Sequence, residues 1–204
     1  MLIVGLTGSI GMGKSTAAAR FVSQDIAVFD ADAKVHELYD GPIAAAVEAA
    51  FPGTALDGHV DRVKLSAALL REPHKFKQLE AIVHPAIRAA ERDFLRRQAA
   101  KGAKIAVLEV PLLFEAGGFE AVDCIVVVSA PSQIQRQRVL ARPGMTIEKL
   151  DRLLQRQMPD EEKRSKANFV VDTSGSIDSC NTQVDAIIAQ LAQSPAHAFK
   201  RFWS

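Results

Sequence analysis

Cysteine is nearly absent from these 204 residues, and tryptophan and tyrosine occur once each. Cys124 and Cys180 lie far apart and show no metal-ligand spacing. Cys124 sits inside an apolar run and reads as a buried, reduced thiol; a chain of this size needs no covalent staples. Long hydrophobic runs are also missing: none approaches the roughly 20 residues of a membrane span. Met1-Leu-Ile-Val lacks the basic stretch and small-residue cleavage site of a secretory leader. The expectation is a cytoplasmic protein that does not engage a membrane. Neither charge sign dominates. Lys plus Arg total 25 against 24 for Asp plus Glu, a net charge of +1. The basic excess of a nucleic-acid-coating protein is therefore lacking, although a local basic pocket for phosphates remains open.

What is present is ordinary globular material, 48% hydrophobic and 24% charged. Five short apolar segments, at 2–6, 27–29, 105–110, 124–128 and 169–171, alternate with helical-period stretches. Four are nearly continuous apolar runs, as expected for strands covered on both faces; Glu109 interrupts the third. Such alternation predicts an α/β fold, a five-stranded parallel sheet with right-handed crossovers. About 75 residues separate the second strand from the third, far more than one crossover needs. That stretch is helical in pattern at 33–39, 43–51, 63–70, 74–83 and 85–98, with Pro52-Gly53 and Asp57-Gly58 as turns. The expected division is a core of 1–32, 99–131 and 167–195, a helical region at 33–98 and a lid at 132–166. The lid segment carries eight Arg or Lys residues before Lys166. The ending Phe199-Lys-Arg-Phe-Trp-Ser204 is compatible with a docked or a frayed terminus.

The strongest motif runs from Gly8 to Ser15: Gly8-Ser9-Ile10-Gly11-Met12-Gly13-Lys14-Ser15 matches G-x-x-x-x-G-K-S, with a strand before it and a helix-forming run after it. Gly8, Gly11 and Gly13 let backbone N–H groups approach phosphate oxygens. The helix that follows turns its positive end toward the same anion. Lys14 is expected to reach the β- and γ-phosphates of ATP, and the Ser15 hydroxyl to hold Mg²⁺. A nucleotide-driven switch is disfavoured. Asn168 and Asn181 are the only asparagines and neither begins an Asn-Lys-x-Asp guanine motif, Asp172-Thr-Ser-Gly175 follows the last strand, and no LSGGQ-like signature exists.

Asp30-Ala31-Asp32 follows the second strand, on the rim where ligands of parallel sheets collect. A carboxylate there can orient an attacking hydroxyl and accept its proton; equally, the pair can cap the next helix. Arg136, Arg138 and Arg142 stand at i, i+2 and i+6, so Arg138 and Arg142 share a face if the segment is helical. Guanidinium groups clamp charge on a moving phosphoryl group. Pro143-Gly144 then breaks the helix and permits a mobile lid.

From about Leu2 to Ser176 the chain resembles the dephospho-CoA kinase family. The matching pieces are Thr7 to Thr16, Asp30-Ala31-Asp32, Asp61-Arg62 with Leu65, and Leu79-Glu80-Ala81-Ile82-Val83-His84-Pro85. Val110-Pro111-Leu112-Leu113-Phe114-Glu115, Arg138 with Arg142, and Gln157 complete the set. The phosphate loop is generic; the His-Pro and Pro-Leu-Leu-Phe-Glu pieces, in that order, are far more specific. The resemblance implies ATP-dependent phosphorylation of the ribose 3′-hydroxyl of dephospho-CoA, in a nucleoside-monophosphate-kinase-like architecture. It also implies roles: Asp32 as general base, Arg142 as lid arginine and Arg138 beside the adenine, with Met12 and Thr16 completing the nucleotide contacts. His84, Pro111, Leu112 and Phe114 are implied to line the acceptor pocket. Taken alone, His84 reads as a histidine satisfied in a core or at a helix end, and Leu112, Leu113 and Phe114 as core. A monomer or weak homo-oligomer is expected. The chain departs from the family in having Ala167-Asn168 where Ala-Asp is usual and Asp172-Thr173 where Asp-Asn is usual. Thr173 therefore bears on base recognition. No Asp follows the third strand in the usual Mg²⁺-supporting place, and Glu109 is the nearby alternative.

Overall fold

The computed structural model describes all 204 residues. The chain divides into two compact units, residues 1–29 with 95–204 and residues 30–94. In the first unit, β1 (Leu2–Thr7) is buried along its whole length and leads through a loop into α1 (Lys14–Ser23). Next come β2 (Ala27–Asp30) and, after the second unit, β5 (Ile105–Glu109), β6 (Cys124–Ser129) and β7 (Phe169–Asp172). Three helices, α6 (Ser132–Leu140), α7 (Ile147–Leu154) and α8 (Asp160–Ser165), join the last two strands, and α9 (Ile177–Leu191) follows. The strands form one parallel sheet in the order β2-β5-β1-β6-β7. β1 is hydrogen-bonded to β5 on one side (Leu2 opposite Ile105) and to β6 on the other (Val4 opposite Cys124). The connections diverge at β1, the switch point where open α/β sheets bind ligands.

All five expected strands form, each within a residue or so of its apolar run, because a strand buried on both faces needs apolar residues at every position. Val4, Leu6, Val126 and Val128 pack against Ala17 and Phe21 of α1 and Val184, Ile187 and Leu191 of α9. Arg20 of α1 donates two hydrogen bonds to the Asp185 carboxylate of α9, at 2.8 and 2.6 Å. The C-terminal segment is docked. Trp203 is buried and donates from Nε1 to the Ala121 carbonyl at 2.7 Å. The Asp123 carboxylate accepts from the N–H groups of Ile3, His197 and Ala198.

The second unit comprises α2 (Ala31–Tyr39), α3 (Ala44–Ala50), β3 (Ala55–Leu56), β4 (His59–Val60), α4 (Arg62–Arg71) and most of α5 (Phe76–Ala100). Tyr39, Ile43, Val47, Phe51, Leu65, Leu69 and Val83 form its core. The Asp57-Gly58 turn proves to be the tip of a hairpin, with both residues at positive φ (50° and 82°), as tight two-residue hairpins require. Asp61 caps α4 by accepting from Val63 and Lys64 N–H.

Sequence reasoning placed a break between residues 83 and 85, yet α5 runs unbroken through Pro85. Proline removes one hydrogen bond, to the carbonyl four residues earlier. Both Pro85 and Ala81 are exposed, so water can satisfy that carbonyl.

Farther along α5, Glu91 is only 4% exposed. Its Oε2 has no hydrogen-bond partner, although the Arg88 guanidinium lies 3.6 Å away. Burial pushes the carboxyl up to about 7, with Arg88 opposing. An acid with a raised folded-state pKa favours the folded protein while protonated. Stability is therefore expected to fall as pH rises from about 4.5 to about 7 and to level off above. At about 1.4 kcal/mol per pH unit the contribution reaches about 3 kcal/mol. Urea unfolding of Glu91→Gln should lack this slope and give greater stability than the native chain at pH 8. Parallel pH profiles for the two proteins would exclude Glu91 as the source.

Candidate nucleotide site

The loop between β1 and α1 is shaped by backbone geometry and by what packs behind it. Gly11 and Gly13 have φ of 76° and 86°, a region that favours glycine. A Cβ on Gly11 would lie 2.4 Å from Val139 Cγ2, and one on Gly13 3.1 Å from the Thr173 side chain. Gly8 approaches β6 closely, since its Cβ would meet the Val128 carbonyl at 2.6 Å. No side chain caps α1, and no acid occupies its first turn. That helix end thus keeps its attraction for an anionic ligand.

In front of the loop lies a cavity of about 310 Å³. Ser9 and the run Gly11 to Thr16 form one wall, Arg138 and Arg142 the second, and Thr173, Gly175, Ser176, Ile177 and Cys180 the third. Three cationic side chains, Lys14, Arg138 and Arg142, share this lining with no carboxylate. Such a donor set suits a polyanion and repels a cation that arrives without one. Ser15 lines the cavity too, one of several hydroxyl-bearing residues there. No group of three or more His, Cys, Asp or Glu side chains is arranged to hold a metal by itself.

Thr173, the departure from the family pattern, is tied into this framework. Its hydroxyl donates to the Met12 carbonyl at 2.8 Å and accepts from Arg138 Nη1 at 3.1 Å. Arg138 Nη2 donates to the Thr173 carbonyl at 2.5 Å. The side chain is therefore spent on joining the loop after β7 to the phosphate loop and to Arg138. Its hydroxyl has one proton to give, and the Met12 carbonyl, at 2.8 Å, is nearer than the Ser129 carbonyl at 3.3 Å. Asn168 acts elsewhere, closing β7 onto β6 as its Oδ1 accepts from Ile125 N–H at 2.8 Å. Neighbouring Asp172 is held below the usual carboxylate range, chiefly by the Ser174 N–H.

Asp30, not Asp32, caps α2: its Oδ1 accepts from Ala33 N–H at 2.9 Å. Asp32 is exposed in the first turn of that helix, and His84 is exposed on α5. Gly8 and Glu109 are not among the cavity lining; Glu109 is buried at the end of β5 beside Leu6. Phe114 is 6% exposed and packs with Leu113, Ile125 and Val127, whereas Leu112 is exposed. The Pro111 carbonyl accepts from Thr7 Oγ1 at 3.1 Å and from Lys163 Nζ at 3.3 Å.

Lys163, counted by sequence among the eight basic residues of the expected lid segment, has a place that spacing alone does not reveal. It is fully buried and paired with Glu115 Oε1 at 2.9 Å. Glu115 also accepts from Met158 N–H at 2.7 Å. The signal available in the sequence was Glu115 itself, an acid directly after an apolar run.

With this geometry in hand, comparison with known proteins is specific. A family model described as dephospho-CoA kinase matches residues 2–179. A dephospho-CoA kinase from Mesorhizobium japonicum is 54% identical over 94% of this chain and 97% of its own length. A solved protein from Thermus thermophilus is 35% identical, covers 93% of this chain and 97% of its own, and superposes with a TM-score of 0.82. A dephospho-CoA kinase from Campylobacter jejuni, 24% identical and covering 94% and 97%, has the same fold with a TM-score of 0.70. A phosphate loop facing two arginines, on a sheet of this order, and a match over most of the chain lead to one assignment: the chain belongs to the dephospho-CoA kinase family and is a kinase.

Proposed function

We propose that the chain transfers the γ-phosphoryl group of ATP to the ribose 3′-hydroxyl of dephospho-CoA, giving CoA and ADP in the last step of coenzyme A biosynthesis. The observation that carries the donor half is the cavity at the phosphate loop, with three cations and no carboxylate in its lining. Family membership supports the acceptor half.

In this reading the backbone around Gly11 and Gly13 cradles the phosphates, and Lys14 neutralises the β- and γ-oxygens. Arg142 meets the charge that spreads over the moving phosphoryl group. Arg138, locked to Thr173, stands on the side of the base. Ser15 would hold Mg²⁺, which when bound would offset the charge of the phosphate oxygens. Asp32 orients the 3′-hydroxyl and accepts its proton as the phosphoryl group transfers. His84, Pro111, Leu112 and Phe114 contribute to acceptor binding, and residues 132–166 act as a lid. The enzyme works in the cytoplasm as a monomer or weak homo-oligomer, without nucleic acid or membrane.

Coupled ADP release compares dephospho-CoA with AMP, CMP, shikimate and pantothenate. Turnover confined to dephospho-CoA is expected; faster turnover of another acceptor would overturn the assignment. Lys14→Ala should lower kcat/KM well beyond tenfold. A loss below about tenfold, or about 1.4 kcal/mol, would overturn the phosphate role of the loop.

A further inference from the structure

Ile10, in the middle of the phosphate loop, is gripped by two glutamine side chains. Its N–H donates to Gln157 Oε1 at 3.1 Å, and its carbonyl accepts from Gln135 Nε2 at 2.9 Å. A neighbouring strand would satisfy both backbone groups in this way; here two side chains do so for a loop residue. They come from different places. Gln135 is 5% exposed on α6, whereas Gln157 lies between α7 and α8. Gly11 adds to the close fit, since its missing Cβ would lie 3.2 Å from the Gln135 carbonyl. Neither glutamine lines the cavity.

We propose that Gln135 and Gln157 are positioning residues that hold the phosphate loop in its anion-ready shape before nucleotide arrives. The inference rests on the loop being the ATP site. A loop already ordered pays less entropy on binding than one that must be ordered by its ligand. Loss of the grip should therefore appear in ATP affinity more than in melting temperature.

The two positions need opposite chemistry. Ile10 N–H needs an acceptor, which Gln157→Glu keeps. Ile10 C=O needs a donor, which an ionised Gln135→Glu carboxylate cannot supply. Measured at about pH 8 or above, where both added carboxyls are driven toward ionisation, the two variants differ in which one keeps its hydrogen bond. Position 135 is the more buried, so the uncharged Met variants serve as the control. Calorimetric titration of the full chain with ATP should show Gln135→Glu binding at least about fivefold more weakly than Gln157→Glu. The uncharged Gln135→Met should bind about tenfold more weakly than the native chain, with melting temperatures close together. Gln157 is the more exposed of the pair. Gln157→Met therefore gives the same reading if changes at 135 impair folding: about tenfold weaker binding is expected.

Equal affinity of the two Glu variants, or Met variants within about twofold of the native chain, would overturn the positioning role alone. A native chain that binds no ATP would overturn this inference together with the proposed function.

Discussion

Asp32→Asn is expected to lower kcat by about 10²- to 10⁴-fold while leaving ATP affinity nearly unchanged. The amide matches the carboxylate in shape but cannot take the proton of an attacking hydroxyl. Asp30 supplies the cap of α2, so the substitution leaves the helix start intact. Asp32 is also exposed, outside the hydrophobic cores. Steady-state kinetics with dephospho-CoA, calorimetry with ATP and a thermal melt separate the possibilities. Near-native turnover in a folded protein would remove Asp32 from the chemistry. A large loss of ATP affinity would instead assign it to the donor side.

Lys163→Met should cost about 2–4 kcal/mol of stability, somewhat less than stranding a wholly buried charge, because Glu115 keeps 19% of its side chain exposed. The Lys163 side chain is fully buried, with Glu115 at 2.9 Å and the Pro111 carbonyl at 3.3 Å. Without the ammonium, Glu115 keeps the Met158 N–H as a donor, and Pro111 O keeps Thr7 Oγ1. For a chain of about 200 residues, each 1 kcal/mol corresponds to roughly 2–4 °C in Tm, so the melt should move by roughly 4–16 °C. Removing both charges with Lys163→Met and Glu115→Leu should recover most of the loss, because apolar replacement of a whole pair is often close to neutral. A single-variant loss below about 1 kcal/mol, the range of exposed pairs, would mean that water reaches the ammonium. The same contacts fasten residues 158–163 to the loop after β5. Arg138 on Thr173, Ser129 Oγ on Asp160 at 2.7 Å, and Lys163 thus anchor the two ends of the basic segment between β6 and β7.

How much of this was legible beforehand differs from residue to residue. The strands were readable because a strand covered on both faces repeats its apolar character within five or six neighbouring positions. The phosphate loop was readable because its chemistry needs glycines, a lysine and a serine at fixed short spacings. The hairpin at 55–60 escaped notice because two-residue strands carry too little periodicity, although Asp57-Gly58 marked its turn. Pro85 suggested a break that solvent exposure of Ala81 makes unnecessary. Thr173 marked a departure that bears on base recognition; only the structure shows that its hydroxyl joins Met12 to Arg138.

By itself the sequence determined the α/β alternation and the position of the phosphate loop, since each is written in neighbours a few residues apart; which arginines face that loop was readable only through the family resemblance. Only the tertiary structure decided which charged side chains are sealed inside, that Ile10 is held by Gln135 and Gln157, and that the C-terminal Trp203 is docked. The physical reason is distance along the chain. Lys163 meets Pro111 across 52 positions and Gln157 meets Ile10 across 147. Burial and hydrogen bonding at that separation depend on how the sheet brings its loops together, which no local spacing encodes.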